Sequence, residues 1–329
     1  MIEAPSIDTL NLEVTTTCPL RCPQCYCCFN EVRHMDLDVA KHWILEAAKC
    51  GCKGISISGG ETRCYPHLAE IIAFARDHNV GTSCAFSGWH LDSDYIQTLV
   101  DAGIYSIHIS LNGSTEQINR LSRDGYDYSI RALKTLKEMG YQHTTINWVM
   151  HSFNADDFPN MITLAEEYNV YALSVMEFKP DANNQLPSIP SAMQMYQVAE
   201  QIRQYSGKLQ LQVENCFSPM RALVLDTAFA GNLNRGKYRG CGAGIFLLSV
   251  NVDGTLTPCR HIQASEKWDT LMQYWENSPL LKEIRDCYCR EPEEPCRSCK
   301  YLPYCRHCMA SNHSIAGCFQ VGNKQCPLV

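Results

Sequence analysis

The feature that most constrains this 329-residue chain is a rhythm. From residue 8 to about 205, short β-branched or apolar runs alternate with longer amphipathic segments, the pattern of βα units around a parallel sheet. Strands are expected over residues 8–15, 54–58, 81–86, 106–110, 144–149 and 172–178. Helices are expected over 37–50, 67–78, 94–102, 129–139, 156–168 and 192–205, with Gly103 and Gly140 as C-caps of the third and fourth. Six units are too many for a ferredoxin-like domain and too few for an eightfold barrel. The expected fold is therefore α/β, a partial (β/α)6 TIM-like barrel whose ligands sit at the strand C-termini. After Gly207 the rhythm changes to a short run over 209–213, a glycine-containing stretch to Cys241, a run over 245–250, a turn at Asp253-Gly254 and cysteine-dense irregular sequence. The expected organisation is a barrel over residues 1–206, a bridging segment over 207–240 and a small C-terminal cysteine-rich domain over 241–329.

Apolar residues make up 45% of the chain and charged residues 19%, enough to bury a sizeable core and too apolar for disorder. The net charge of −7 leaves no basic footprint for a nucleic acid. No uncharged apolar run reaches the ~18 residues of a membrane span, and the N-terminus lacks the layout of a signal peptide. A cytoplasmic location is expected, with no membrane partner. In that reducing compartment the twenty cysteines are expected to be metal or cluster ligands, or catalytic groups, rather than disulfides.

Directly after the first expected strand stand Cys18, Cys22 and Cys25, a C-x3-C-x2-C spacing on a strand-end loop. A closed zinc site takes four ligands, whereas three thiolates leave a 4Fe-4S cluster with one iron free to bind something else. At the end of the second strand, Gly59 and Gly60 let backbone approach a ligand closely, and Glu61 offers a carboxylate to an ammonium group. With these two motifs in these places, the region from about residue 8 to 177 resembles the radical S-adenosylmethionine (SAM) superfamily. The resemblance implies that Cys18, Cys22 and Cys25 hold a 4Fe-4S cluster, that its fourth iron chelates SAM, and that reductive cleavage yields a 5′-deoxyadenosyl radical. It further implies that Ser87 in Phe86-Ser87-Gly88, Ser110 and Asn112 in Ser110-Leu111-Asn112-Gly113, and Arg123 lie around SAM. Asn154 after the fifth strand also fits the pattern. Two positions depart from it: Gln24 stands where the family has an aromatic residue beside the adenine, with Tyr26 as the expected substitute, and Asn112 replaces an aspartate.

The C-terminal part carries Cys241, Gly254 and Cys259, then Cys296, Cys299, Cys305 and Cys308, and finally Cys326. Cys296, Cys299, Cys305 and Cys308 alone would also satisfy one tetrahedral zinc site. The full pattern resembles the SPASM extension of radical SAM peptide-modifying enzymes, with one residue fewer between Cys305 and Cys308 than the family has. The resemblance implies a first auxiliary 4Fe-4S cluster on Cys241, Cys259 and Cys308 and a second on Cys296, Cys299, Cys305 and Cys326, three clusters in all. The first needs a fourth ligand, for which Cys287, Cys289 and Cys318 are nearby, or it keeps an open iron.

Among the remaining residues, Glu177 is the expected general base, with Glu13 and Asn147 also at strand ends. Cys216 is the expected catalytic thiol, able to donate hydrogen to a substrate radical or to coordinate one. Cys27 and Cys28 break the triad's spacing and are expected to be structural or loop thiols, while most of Cys50, Cys52, Cys64 and Cys84 are expected to be small core residues. Arg260, after Cys259, stands where the related sulfatase-maturing enzymes have an aspartate base, which counts against that reaction.

The resemblance implies an enzyme that abstracts hydrogen from a residue of a ribosomally made peptide, leading to oxidation, cross-linking or epimerisation. The implied partners are that peptide, an electron donor such as flavodoxin or ferredoxin, and a separate leader-binding protein, since Cys18 lies too close to the start for a leader-binding domain. A small metabolite or cofactor precursor as substrate, and a non-catalytic iron-sulfur or zinc protein, are the alternatives.

Overall fold

The computed structural model describes residues 7–27, 31–179, 188–225, 240–319, 322–323 and 326–329; Cys28 and much of the expected bridging segment lie outside them. Among the described residues nine strands form one sheet: β1 (Thr9–Thr15), β2 (Gly54–Gly59), β3 (Gly81–Phe86), β4 (Ser106–Ser110), β5 (Thr144–Met150), β6 (Ala172–Glu177), β7 (Gln210–Val213), β8 (Leu247–Val250) and β9 (Leu256–Thr257). Their order is β7-β6-β5-β4-β3-β2-β1-β8-β9. Every pairing is parallel except β8 with β9, and the sheet is not closed.

The helices are α1 (Leu37–Lys49), α2 (Leu68–Asp77), α3 (Ser93–Ala102), the single turn α4 (Glu116–Asn119), α5 (Tyr126–Glu138), α6 (Phe158–Glu167) and α7 (Ala192–Gln204). They are followed by α8 (Ser218–Leu225), α9 (Leu271–Asn277), α10 (Pro279–Cys289) and α11 (Met309–Ala316). Local chemistry sets their ends. Asp36 accepts from the N–H groups of Asp38 and Val39 to start α1, Ser191 and Gln194 form a reciprocal capping box on α7, and Gly103 ends α3 in a left-handed conformation. Gly140 takes a left-handed conformation just past α5, as expected.

The barrel is thus one strand longer than the six units expected. The sequence Gln-Leu-Gln-Val of β7 is four residues long and alternates exposed with half-buried positions, so it reads weakly, yet it pairs in register with β6 from Ala172↔Gln210 to Val175↔Val213. On the other side β8 pairs with β1 from Thr9↔Leu247 to Leu12↔Val250. Buried Asn11 Nδ2 donates to Ser249 Oγ across that pair at 3.1 Å. The cysteine-rich part is therefore joined to the barrel by the sheet itself. Leu10, Leu12, Ile55, Ile57, Ile107, Ile109 and Trp148 are fully buried in the core beneath this sheet, each contributing ~1.5–3 kcal/mol by leaving water. All parallel strands point their C-termini at one face, where Cys18, Gly60, Ser87, Asn112 and Glu177 are gathered.

Candidate functional site

The loop after β1 is held by the end of β2. Gly60 N–H donates to the Thr15 carbonyl at 2.7 Å and Glu61 N–H to the Thr17 carbonyl at 2.8 Å, tying the second motif to the residues that lead into Cys18. A Cβ on Gly59 would lie 2.3 Å from the Thr15 oxygen, and one on Gly60 would lie 2.4 Å from the Thr17 oxygen. These contacts require glycine at both positions. Glu61 is buried, with one oxygen accepting from Ser87 N–H at 2.8 Å and the other from Arg63 N–H at 3.3 Å. A carboxylate offers about four lone-pair sites, so these bonds leave Glu61 acceptor capacity for a ligand. Burial raises its pKa, with the Ser87 and Arg63 hydrogen bonds and the Arg123 charge opposing.

Gln24 and Asn112, the two departures from the expected pattern, are bonded to each other. Asn112 is fully buried; its Oδ1 accepts from Val149 N–H at 3.0 Å, which fixes Nδ2 as the group donating to Gln24 Oε1 at 2.7 Å and to Ser122 Oγ at 2.9 Å. Gln24 Oε1 then accepts from His151 Nε2 at 2.7 Å, leaving His151 Nδ1 to accept from Ser188 Oγ at 2.8 Å. Burial lowers the His151 pKa to about 4, so the ring is neutral and this tautomer is consistent with its partners. At the two departing positions an uncharged hydrogen-bonded chain thus joins the cysteine loop to β4 and β5. The Tyr26 hydroxyl donates to Glu13 Oε1 at 3.0 Å and its ring lies 4.2 Å from that of His261 in the C-terminal region.

Asp124 N–H donates to Cys22 Sγ at 3.4 Å, and Asp124 Oδ2 accepts from Arg21 N–H at 2.9 Å. Burial raises the thiol pKa of Cys22, opposed by the Arg123 guanidinium and this hydrogen bond. Burial also raises Cys18, to about 11, with Cys22 and Cys25 adding to the shift through their charge. Three neighbouring thiols so disposed gain most from a cationic group that compensates their ionisation. Among the described residues, the buried atoms Thr17 Oγ1, Ser58 Oγ and Arg123 Nε have no hydrogen-bond partner; they belong to the lead into Cys18, the end of β2 and the segment whose Asp124 N–H reaches Cys22. Buried orphans concentrated in one place suit a polar ligand. The donor set therefore fits an iron cluster with three thiolates and a polar cosubstrate beside it. The ends of β3 and β4 are tied to α5, the Ser87 and Ser110 carbonyls accepting from Ser129 Oγ at 2.9 and 3.2 Å. Asn154 supports the same end of β4 by donating to the Asn112 carbonyl at 2.9 Å.

The C-terminal thiols fall into two sets. Cys296, Cys299, Cys305 and Cys326 line one apolar cavity, with Asn323 N–H donating to Cys296 Sγ at 3.2 Å. Cys241 and Cys308 are buried apart from that cavity, near Cys259. The tight Asp253-Gly254 turn leads back to Cys259 as expected, with Asp253 Oδ1 accepting from Thr255 N–H at 3.0 Å. Among the described residues, no disulfide joins any two cysteines. No three His, Cys, Asp or Glu side chains among them are gathered closely enough to hold a single metal ion. Cys52 and Cys84 are buried as expected, whereas Cys50 and Cys64 are half-buried.

Glu177 ends β6 beside a cavity walled by Met150, Phe178, Met195 and Phe217 and reached by Ser311 and Cys326 of the C-terminal region. Its Oε2 is buried and has no hydrogen-bond partner among the described residues. Burial raises its pKa to about 8, with the Lys179 charge opposing. Lys179, which no sequence motif singles out, is buried and donates to Glu214 Oε2 at 2.8 Å. Asn147, by contrast, bonds His108 at 3.2 Å. His151 and Lys179 escape a sequence reading because each lies in no motif; only the strand ends on which they converge give them meaning.

Residues 12–165 match the family model described as Radical SAM superfamily. The fold is similar to that of Streptococcus suis SuiB bound to S-adenosylmethionine, with 19% identity, a TM-score of 0.76, and coverage of 92% of this chain and 73% of that one. SuiB bound to the precursor peptide SuiA gives 18% identity and a TM-score of 0.78 over 97% of this chain and 75% of that one. The structure titled native anSMEcpe with bound AdoMet and Cp18Cys peptide gives 17% and 0.70 over 92% and 89%. A curated relative, the AdoMet-dependent heme synthase of Methanosarcina barkeri, is 21% identical over 96% of this chain and 95% of its own length. No helix among the described residues is long and apolar enough to cross a membrane.

Proposed function

We propose, from the radical SAM domain that residues 12–165 form, that this chain cleaves SAM reductively and abstracts hydrogen from a residue of a ribosomally made peptide. The observation that carries the reading is a single cavity: Glu177 faces it from the barrel, while Ser311 and Cys326 face it from the cysteine-rich region. A substrate there lies between the strand C-termini and the C-terminal thiols. Likeness to SuiB, solved with its precursor peptide, and to anSMEcpe, solved with a peptide, supports the peptide class.

When bound, the cluster on Cys18, Cys22 and Cys25, together with SAM, supplies hydrogen-abstracting radical chemistry. The chain's own residues do the rest. Gly59 and Gly60 clamp the cysteine loop, Arg123 presents a buried, unpartnered Nε beside it, and the Gln24–Asn112 bond fixes the loop against β4. Met150, Phe178, Met195 and Phe217 exclude water around the substrate. Glu177 Oε2, buried and unpaired, is the atom placed to take the proton released as the substrate is oxidised. The two C-terminal thiol sets are read as auxiliary 4Fe-4S sites that accept the electron, with reducing equivalents supplied by a flavodoxin or ferredoxin and the peptide presented by a separate leader-binding protein.

The curated heme synthase favours a second reading, in which the substrate is a small metabolite or cofactor precursor. One experiment separates them. Anaerobically reconstituted protein is given SAM and reductant with either short peptides encoded beside its gene or porphyrin precursors, and 5′-deoxyadenosine and substrate mass are followed. A peptide losing two hydrogens, or gaining solvent deuterium at unchanged hydrogen count, supports the first reading. Turnover of the porphyrin precursor alone replaces it with the second, and an absence of SAM cleavage removes both.

A further inference from the structure

Cys216 lies outside the spacing that groups the C-terminal cysteines, yet the fold brings it to three of them. It stands between β7 and α8, two residues before Ser218, whose Oγ donates to the Arg306 carbonyl at 2.9 Å. Arg306 in turn is two residues before Cys308. Gly240, the residue before Cys241, is pressed into the same point: a Cβ there would lie 2.4 Å from the Arg306 oxygen and 2.7 Å from Ser218 Oγ. One knot thus draws together the segments bearing Cys216, Cys241 and Cys308, so tightly that residue 240 admits no side chain. Cys259 comes in on the β8–β9 hairpin and packs with Cys216 against the buried layer that contains Ile262, Ile284, Cys308 and Met309.

Electrostatic reach agrees with that packing. Cys216 lies within electrostatic reach of Cys308 and Cys241, and Cys241 within reach of Cys308 and Cys259. Lys179 Nζ, buried and paired with Glu214 at 2.8 Å, lies within reach of all four thiols. A buried cation is what a cage of thiolates needs as partner. Of the other spare thiols, Cys289 is exposed, and Cys287, although it touches the same buried layer, opens with Cys318 on a separate cavity beside α10 and is not drawn in by the Ser218–Arg306–Gly240 knot.

We propose that Cys216 is the fourth protein ligand of the first auxiliary cluster, with Cys241, Cys259 and Cys308, and that this cluster has no iron left to chelate a substrate. The inference rests on the auxiliary-cluster reading above. It narrows the cluster's work to electron transfer, because a cubane with a thiolate on every iron offers no vacant site to a substrate atom. The substrate is then held by the Glu177 cavity alone.

The test uses the full chain with Cys18, Cys22 and Cys25 all changed to Ala, reconstituted anaerobically, so that only the C-terminal sites carry iron. It is expected to hold about 8 iron per chain and to give a reduced EPR spectrum that added cyanide leaves unchanged. In that background Cys216→Ala is expected either to lose about 4 iron or to keep them and acquire a cyanide-dependent signal; Cys287→Ala is expected to do neither. A cyanide response while Cys216 is intact overturns the inference, and this measurement needs no substitution at Cys216. Full iron with a cyanide-insensitive spectrum in Cys216→Ala overturns it too, as does iron loss in Cys287→Ala with Cys216→Ala unaffected. If the starting protein binds zinc or no iron, the auxiliary-cluster reading itself falls, and the inference with it.

Discussion

In the loop after β1, three thiols lie within the eight residues from Cys18 to Cys25, and backbone contacts from Gly60, Glu61 and Asp124 hold that loop in place. In the C-terminal region the thiols come from residues 216 to 326, and what gathers them is a parallel pairing of β8 with β1, a hydrogen bond from Ser218 to Arg306 and a glycine at 240 too crowded for a side chain. The first site is local and is clamped by its neighbours. The second is assembled from segments with no sequence contiguity, so a change in one segment is felt by the others. Beyond the β1–β8 pairing, the barrel meets the C-terminal region at the Tyr26–His261 ring contact, beside the cysteine loop, and at the Glu177 cavity.

The largest effect that tests this contrast is expected from changing Cys18, Cys22 and Cys25 together to Ala. Total iron should fall from about 12 to about 8 per chain, and SAM cleavage should vanish while the C-terminal iron stays. Loss of all iron by elemental analysis would show that the two regions do not load independently. Glu177→Gln, at their meeting point, is expected to lower substrate turnover by about 10²–10⁴-fold with iron content and 5′-deoxyadenosine formation retained. If turnover survives, the proton leaves by another group.

Asn112→Ala sharpens the local side of the comparison. It strands Val149 N–H and breaks the link to Gln24, which should cost ~1–3 kcal/mol, read as a lower denaturation midpoint with faster iron loss from the first site only. Asn112→Asp offers the same shape but places an acid against Gln24 Oε1, so it is expected to restore less than full stability. Smallest is Tyr26→Phe, which removes one hydrogen bond to Glu13 and should cost ~1 kcal/mol. An effect several times larger would show that the contact between the regions is a principal joint.

Much of the barrel was legible. The strands Gly81–Phe86 and Ser106–Ser110 coincide with their expected bounds, because apolar runs flanked by helices and turn residues leave no competing period. Helix α5 begins at Tyr126, three residues ahead of expectation, because Gly125 turns the chain in a left-handed conformation just before it. β7 and the β1–β8 pair were not legible as parts of the barrel sheet: the first is too short and polar to show a period, and the second joins residues more than two hundred apart. In the site, the cysteine triad and the two glycines carried their own signal. Gln24 and Asn112 showed only as departures from a pattern, and their mutual bond explains both at once.

The sequence by itself determined the order of the βα units, the three-thiol loop at the end of the first strand and the crowding of cysteines beyond residue 241, since each is written in neighbours along the chain. Tertiary structure alone decided which distant thiols stand together, that Lys179 pairs with Glu214 among them, and that Glu177 keeps a buried oxygen without a partner. The physical reason is that burial and electrostatic reach depend on distance through the folded interior, and spacing along a chain does not encode that distance once the segments belong to different elements.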